Sequence, residues 1–232
     1  MADFDLALLT TGPYHAQLVA GFWLSLRLAA GTLVLALPLA LVVAVLRMMP
    51  SRLLAGLGFG FVEAIRNVPL LAHILFWYFG APELLPEGLK QWLYRGNIEV
   101  AAAVIALTLY TAAYMSEDIR SGVRSVPREQ LEAARALGFG FFTSMRLVVL
   151  PQALRITVPP LISQTLSLWK NTSMAMVVGV GELLYQAQQV ESATFRSFES
   201  FAFATASYLG VSLLITGLAV AYEHRVQGAR RH

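Results

Sequence analysis

Long apolar runs separated by short polar or basic segments fill the chain from end to end. Leu28 to Leu46 carries no charge and its apolar character reaches back to about Leu18, which predicts a first membrane span over about 18–46. A second run covers about 54–80 and is interrupted by Glu63, Arg66 and Asn67. A third covers about 98–117, a fourth and more polar one about 153–171, and a fifth about 200–222. Runs of this length suit helices crossing a hydrocarbon layer of about 30 Å. The pattern therefore predicts an all-α membrane protein of about five transmembrane helices, forming one transmembrane domain over 1–232. Between about 173 and 196, Gly179, Gly181, Glu182 and three glutamines break the apolar pattern. That segment reads as short helices returning to the outer surface, shielded from lipid by protein. No strong internal repeat stands out.

Composition agrees with a membrane setting. The 232 residues are 57% hydrophobic and 13% charged, against about 25% charged for soluble domains. Cysteine is absent, which excludes disulfides, thiolate chemistry and cysteine-liganded metal. His15, His73, His224 and His232 are scattered without metal-ligand spacing. The N-terminal stretch carries Asp3 and Asp5 but no basic residue, so it is not expected to act as a cleavable signal peptide.

Charge distribution predicts the direction of insertion. Arg47 and Arg52 flank the first loop, Arg120, Arg124, Arg128, Arg135, Arg146 and Arg155 crowd the third, and Arg225, Arg230 and Arg231 close the chain. Lys90, Arg95 and Arg196 lie opposite. Excess Lys and Arg mark the cytoplasmic face, so the N-terminus is expected outside and the C-terminus in the cytoplasm. Trp23, Trp77, Tyr78, Trp92 and Tyr94 fall near the predicted outer ends, as interfacial aromatics do.

The cytoplasmic loop over about 125–151 has its own design. Ser125 and Pro127 offer a cap and a first-turn proline. Good helix formers run from Glu129 to Leu137, with Leu131, Ala134 and Leu137 on one face, and Gly138 supplies the stop. On periodicity alone, an amphipathic connector would look the same. The residues Glu132, Ala133, Ala134, then Gly138, then Val148, Leu150 and Pro151 resemble the EAA loop of ABC importer permeases, with valine where isoleucine is usual. The stretches EAIRNVPLLAHILFWYFGAPELLPE and LPQALRITVPPLISQTLSLWKNTSMAMVVGVGELLYQAQQ look like the second span, and the fourth span with its outer segment, of polar amino acid permeases. Their Asn-Val-Pro-Leu step and Pro-Glu-Leu-Leu-Pro turn are most similar to glutamate/aspartate permeases.

The resemblance implies a type I ABC importer permease fold in the bacterial inner membrane, crossing it several times. It implies a coupling helix, carrying Glu132, Ala133, Ala134, Arg135 and Gly138, that fits a groove in an ATP-binding subunit. Two such subunits would hold ATP and Mg, with no cofactor on this chain. Their ATP-driven closure would rock the spans between outward- and inward-open states. A second homologous permease chain, or a copy of this one, would complete the path, and an extracytoplasmic binding protein would deliver amino acid. The partners implied are these proteins and membrane lipid, with no nucleic acid.

Charged groups inside the bilayer are costly and face a cavity or a partner. Glu63 and Arg66, three apart, can pair on one helix face and neutralise each other. Alternatively Arg66 and the break at Asn67, Pro69 and Leu70 line a substrate path, since Pro69 lacks an N–H and crowds the carbonyl of Ile65. Lys170 either snorkels to the surface or serves as a cation for an acidic substrate, with Asn171 and Ser173 adding hydrogen bonds. The family resemblance places this lysine at the border of the transport cavity. Tyr110, Tyr114 and Ser116 would complete a polar lining or simply pack. Arg27 is explained by snorkelling, and Glu117 and Asp118 by pairing with Arg120 and Arg124.

No G-x-x-x-x-G-K-[ST] loop, G-x-S-x-G or H-E-x-x-H occurs. The resemblance implies a non-catalytic transport subunit for a polar, acidic amino acid such as glutamate or aspartate. The alternatives are a permease for glutamine, asparagine or a basic amino acid, or a five-span enzyme or scaffold without an ATPase partner.

Overall fold

The computed structural model describes residues 9–228, and these form helices and turns without a strand. Asp3, Asp5, Arg230, Arg231 and His232, and the side chain of Trp92, lie outside the described residues. In chain order the helices are α1 (Gly12–Met48), α2 (Arg52–Arg66), α3 (Leu70–Leu75), α4 (Glu87–Arg95) and α5 (Ile98–Arg124). They are followed by α6 (Arg128–Ala136), α7 (Phe141–Ser144), α8 (Leu150–Asn171), α9 (Leu183–Thr194) and α10 (Ser197–Gly228). Wide π turns at Phe76–Gly80 and Met145–Val149 lie just before Pro82 and Pro151. A proline removes the N–H that would have bonded the carbonyl four residues back, and the turn widens locally in response.

Among the described residues, four apolar stretches are long enough to cross a bilayer: Gly12–Met48, Ile98–Arg124, Phe141–Val178 and Ser197–Arg225. The region expected as a single run over about 54–80 differs. Arg52–Arg66 and Leu70–Leu84 meet at a bend of 100°, so they make a fifth crossing only as a broken pair. Asn67-Val68-Pro69 causes the break, because the residue before a proline avoids the helical region. Asn67 then folds back, its Nδ2 donating to the Glu63 carbonyl oxygen and to Glu63 Oε2, each at 2.9 Å.

Helices α1 and α5 form the centre. Small buried residues recur along α1 at Gly21, Ser25, Thr32, Ala36, Ala40 and Ala44. Helix α5 packs Ala112 against Ala36, Ala40 and Ala44, and Ala103 and Ala106 beside Leu28, whereas Gly21 and Ser25 face α9. In lipid, where burial itself gives little drive between helices, small side chains allow the close packing that holds them together. Helix α8 packs on α5 at Gly122, where any Cβ would collide with the Thr157 side chain. Helix α9 tucks Leu183, Ala187 and Val190 against Leu18 of α1 and Ala204 of α10. The segment expected to return under protein cover thus has a packed face of its own.

Candidate functional site

A polar cavity of about 250 Å³ opens between α5 and α8, lined by Tyr110, Thr111, Tyr114, Gln164, Ser167, Leu168 and Asn171. Both helices supply their polar side chains at helical spacing. Tyr110 and Tyr114 stand one turn apart on α5, as Gln164, Ser167 and Asn171 follow one another along α8. The Tyr110 hydroxyl lies 3.4 Å from that of Tyr114. Ser116, expected to join this lining, is fully buried instead and donates to the Ala113 carbonyl at 2.8 Å.

Arg66 reaches this region from the break between α2 and α3. Its guanidinium carbon stands 4.8 Å from the centroid of the Tyr114 ring. Among the described residues Glu63 and Arg66 form no ion pair, that pair being one of the two arrangements the sequence left open. Asn67 takes the Glu63 carboxylate, which leaves Arg66 to stack on the tyrosine. Such stacking contributes about 0.5–1 kcal/mol at an exposed site, and it leaves the guanidinium N–H groups for other acceptors. His73, which sequence alone gave no role, puts Nε2 3.0 Å from the Ile65 carbonyl oxygen at the end of α2. Its ring also packs edge-on against Tyr110. Leu70 is buried in the core beside this break, and Pro69 is exposed.

The cluster expected around Lys170 is divided by α8. Asn171 faces the Tyr110 cavity, whereas Lys170 and Ser173 line a second cavity of about 220 Å³ with Thr205 and Tyr208 of α10. Ser173 spends its hydroxyl on the Lys170 carbonyl at 2.8 Å. Successive helical residues point about 100° apart, so a lysine and the asparagine after it serve different walls.

Behind the second cavity sits Glu182, fully buried. Its Oε1 accepts from the Tyr185 N–H at 2.8 Å, and Oε2 accepts from the Tyr208 hydroxyl at 2.8 Å and from Ser25 at 3.1 Å. Ser25 in turn accepts from the Leu183 N–H at 3.0 Å. The carboxyl caps α9 and joins it to α1 and α10. Burial pushes it above the usual carboxylate range, although the start of α9 and the two hydroxyls pull the other way.

At the other end of α5, Glu117 pairs with Arg120 at 2.8 Å and with Arg47. Asp118, expected to share that network, instead accepts from Gln164 Nε2 at 2.9 Å. Ser125 closes α5, its hydroxyl donating to the Gly122 carbonyl at 2.7 Å, and Pro127 is the cap of α6 rather than a residue of its first turn.

Helix α6 presents Glu132, Ala133 and Arg135 to the surface, while Ala134 is buried. Leu131 packs on Val126, Val149 and Ala153, fixing α6 against the start of α8. Gly138 has φ +84. Its N–H donates to the Arg135 carbonyl at 2.9 Å and the Phe139 N–H to that of Ala134 at 3.0 Å. These two bonds are the Schellman closure that a left-handed residue permits. Leu137, expected to share the inward face, is 76% exposed because it lies at the cap, where the chain turns away.

Comparison with known proteins fits this architecture. The family model for the binding-protein-dependent transport system inner membrane component matches residues 36–228. The glutamate/aspartate import permease protein GltJ of Escherichia coli (strain K12) is 33% identical over 218 residues, covering 92% of this chain and 89% of that protein. The probable glutamine ABC transporter permease protein GlnM of Bacillus subtilis (strain 168) is 38% identical over 193 residues, covering 83% and 85%. A chain from the crystal structure of an amino acid ABC transporter with histidines superposes with a TM-score of 0.83 at 29% identity, over 97% of this chain and 100% of that one.

Proposed function

Because the chain belongs to the family of binding-protein-dependent transport system inner membrane components, we propose that it carries a polar, acidic amino acid, glutamate or aspartate, through the cavity between α5 and α8. It is a non-catalytic permease subunit of an amino acid ABC importer in the bacterial inner membrane. Family membership removes the reading of an isolated enzyme or scaffold. ATP hydrolysis belongs to a partner subunit, and an extracytoplasmic binding protein presents the substrate.

The observation that carries the substrate reading is the Arg66 guanidinium over Tyr114 beside a polar cavity. A guanidinium with free N–H groups matches a carboxylate in charge and in its paired donors. Asn67, Pro69 and Leu70 form the break that brings Arg66 there, while Tyr114 and Asn171 line the wall. Lys170 and Ser173 form a second cationic station on the other flank of α8, facing the path shared with a second permease chain or another copy. The chain acts as one domain with its N-terminus outside and its C-terminus in the cytoplasm. Helix α6, with Glu132, Ala133, Ala134, Arg135 and the turn at Gly138, docks on the ATP-binding subunit, which holds ATP and Mg.

A second reading, transport of a neutral polar amino acid such as glutamine, is favoured by Asp118. It stands one turn beyond Tyr114 and is bonded to the cavity residue Gln164, so the region holds an acidic as well as a basic group, a match for a zwitterion. Uptake of labelled glutamate into proteoliposomes holding the complete importer, competed with a panel of amino acids, decides between them. Glutamate and aspartate are expected to compete best. Stronger competition by glutamine would replace the acidic reading with the neutral one.

A further inference from the structure

The geometry points to Asp118 as the residue that sets the polarity of the cavity. By holding the amide nitrogen of Gln164, it leaves the amide oxygen as an acceptor for the ammonium group of the substrate. This inference rests on the reading that the cavity between α5 and α8 receives the amino acid.

A free glutamine amide can present either end to a ligand. Its carbonyl oxygen attracts an ammonium group, and its NH2 group repels one. Asp118 removes that freedom. A carboxylate accepts hydrogen bonds and has none to donate, so only the NH2 end of Gln164 can face it. The observed bond, Gln164 Nε2 to Asp118 Oδ2 at 2.9 Å, has this polarity and ties α8 to α5. Gln164 lines the cavity, and among the described residues its Oε1 makes no hydrogen bond.

The position on the helix supports the assignment. Tyr110, Tyr114 and Asp118 recur every fourth residue on α5, so they share a face. Arg66 stands over the middle member of that row. The site thus has a cationic wall at Arg66 and Tyr114 and an acceptor wall at Gln164. Glutamate or aspartate can set its side-chain carboxylate against the first wall and its ammonium group against the second. Asp118 is a positioning residue here, and its effect passes through Gln164.

The test uses the full importer complex with its ATP-binding subunit, in nanodiscs and without the extracytoplasmic binding protein, whose own selectivity would mask the effect. Binding of glutamate is compared with 2-oxoglutarate, and of glutamine with 2-oxoglutaramate, in which a carbonyl replaces the ammonium-bearing carbon's amine. Asp118→Leu and Gln164→Leu should each lower amino acid affinity by ~10-fold or more and leave the 2-oxo acid affinity unchanged. The near-isosteric Asp118→Asn, which keeps one acceptor oxygen, should lose less. Equal losses for both ligand types would mean a structural role and overturn the proposal. A loss in Asp118→Leu with none in Gln164→Leu would overturn the assignment of the pole to the amide oxygen. Amino acid binding that is weakened by Arg66→Ala but by neither leucine variant would defeat this inference alone. Absence of binding to the unsubstituted complex, or binding insensitive to Arg66→Ala as well, would defeat the cavity reading itself.

Discussion

The region around Glu182 and the cavity beside Asp118 each set a carboxyl group among apolar helices, yet the two groups use their oxygens differently. Glu182 is fully buried and both oxygens are engaged, by Tyr185 on one side and by Ser25 and Tyr208 on the other. Asp118 is half-buried and holds a single side chain that borders open space. The first arrangement leaves nothing for a ligand and fastens three helices together. The second passes its polarity to a group that a ligand can reach. The cations divide in the same way, since Arg47 is held by Glu117 while Arg66 stacks on Tyr114 with its N–H groups uncommitted among the described residues. Spare hydrogen-bonding capacity beside a cavity, rather than charge alone, separates a ligand site from a structural one.

The largest expected effect tests the structural side of this contrast. Glu182→Ala removes the acceptor for Tyr208, Ser25 and the Tyr185 N–H, and each buried donor left unpaired costs about 1–3 kcal/mol. The complex should be recovered in much lower yield and unfold at lower temperature. Recovery and thermal unfolding equal to the unsubstituted protein would show that the network does not hold the bundle. Glu182→Gln adds a pH signature. Burial raises the folded pKa of Glu182 above its unfolded value, so the folded state binds the extra proton in the interval between them. Stability should therefore rise as pH falls through the folded value and level off below the unfolded one. The glutamine variant should lack this component, and identical pH profiles of unfolding temperature for the two proteins would contradict it.

The functional side is broken next. Arg66→Ala should leave yield intact and lower glutamate uptake by ~10–100-fold, the range expected when one charged hydrogen-bonding group is lost. Arg66→Lys should restore only part, because a point charge reproduces neither the planar fork nor the stacking on Tyr114. Unchanged uptake in the alanine variant would place the substrate elsewhere.

Helix α6 is legible in the amino-acid sequence, and the cavity is not. The signals for α6 are local: nine consecutive helical residues, one buried alanine, and Gly138 in the left-handed region, with φ +84, where the chain turns back. Spacing along the sequence records all of them. The cavity is assembled from the break at 66–70, from 110–118 and from 164–171, brought together by the small-residue packing of α1, α5 and α8. Arg66, Tyr114 and Asn171 stand out as candidates because they are polar residues in apolar runs. That Asn67 rather than Arg66 takes Glu63, and that Asp118 turns toward Gln164, depends on side-chain geometry across helices. The polar row Gln164, Ser167 and Asn171 is visible at helical spacing, and its charged neighbour Lys170 draws attention away from it.

Gly138→Ala should have a smaller effect than Arg66→Ala. A side chain in the left-handed region costs about 1–2 kcal/mol, enough to loosen the end of α6 without unfolding the protein. ATP hydrolysis by the assembled importer should continue while transport per ATP falls severalfold, and Glu132→Ala should act in the same direction. Unaltered transport per ATP in both variants would remove the coupling role proposed for α6.

The smallest effect is expected at Lys170, and it sharpens the contrast most. The lysine is exposed, and it lies across α8 from the Arg66 cavity, beside Thr205 and Tyr208. An exposed charge interaction contributes about 0.2–1 kcal/mol, so Lys170→Ala should reduce glutamate uptake by ~5-fold at most. Glutamine uptake, if present, should be unaffected, because a neutral side chain gains nothing from the second cation. A loss as large as that of Arg66→Ala would mean that the substrate spends its tightest stage in the Lys170 cavity, so that both flanks of α8 bind it. Equal effects on glutamate and glutamine would instead assign Lys170 to packing against α10. The pattern of loss across the two amino acids therefore distinguishes a charge-reading lysine from a structural one, in the same way that free and consumed oxygens distinguish Asp118 from Glu182.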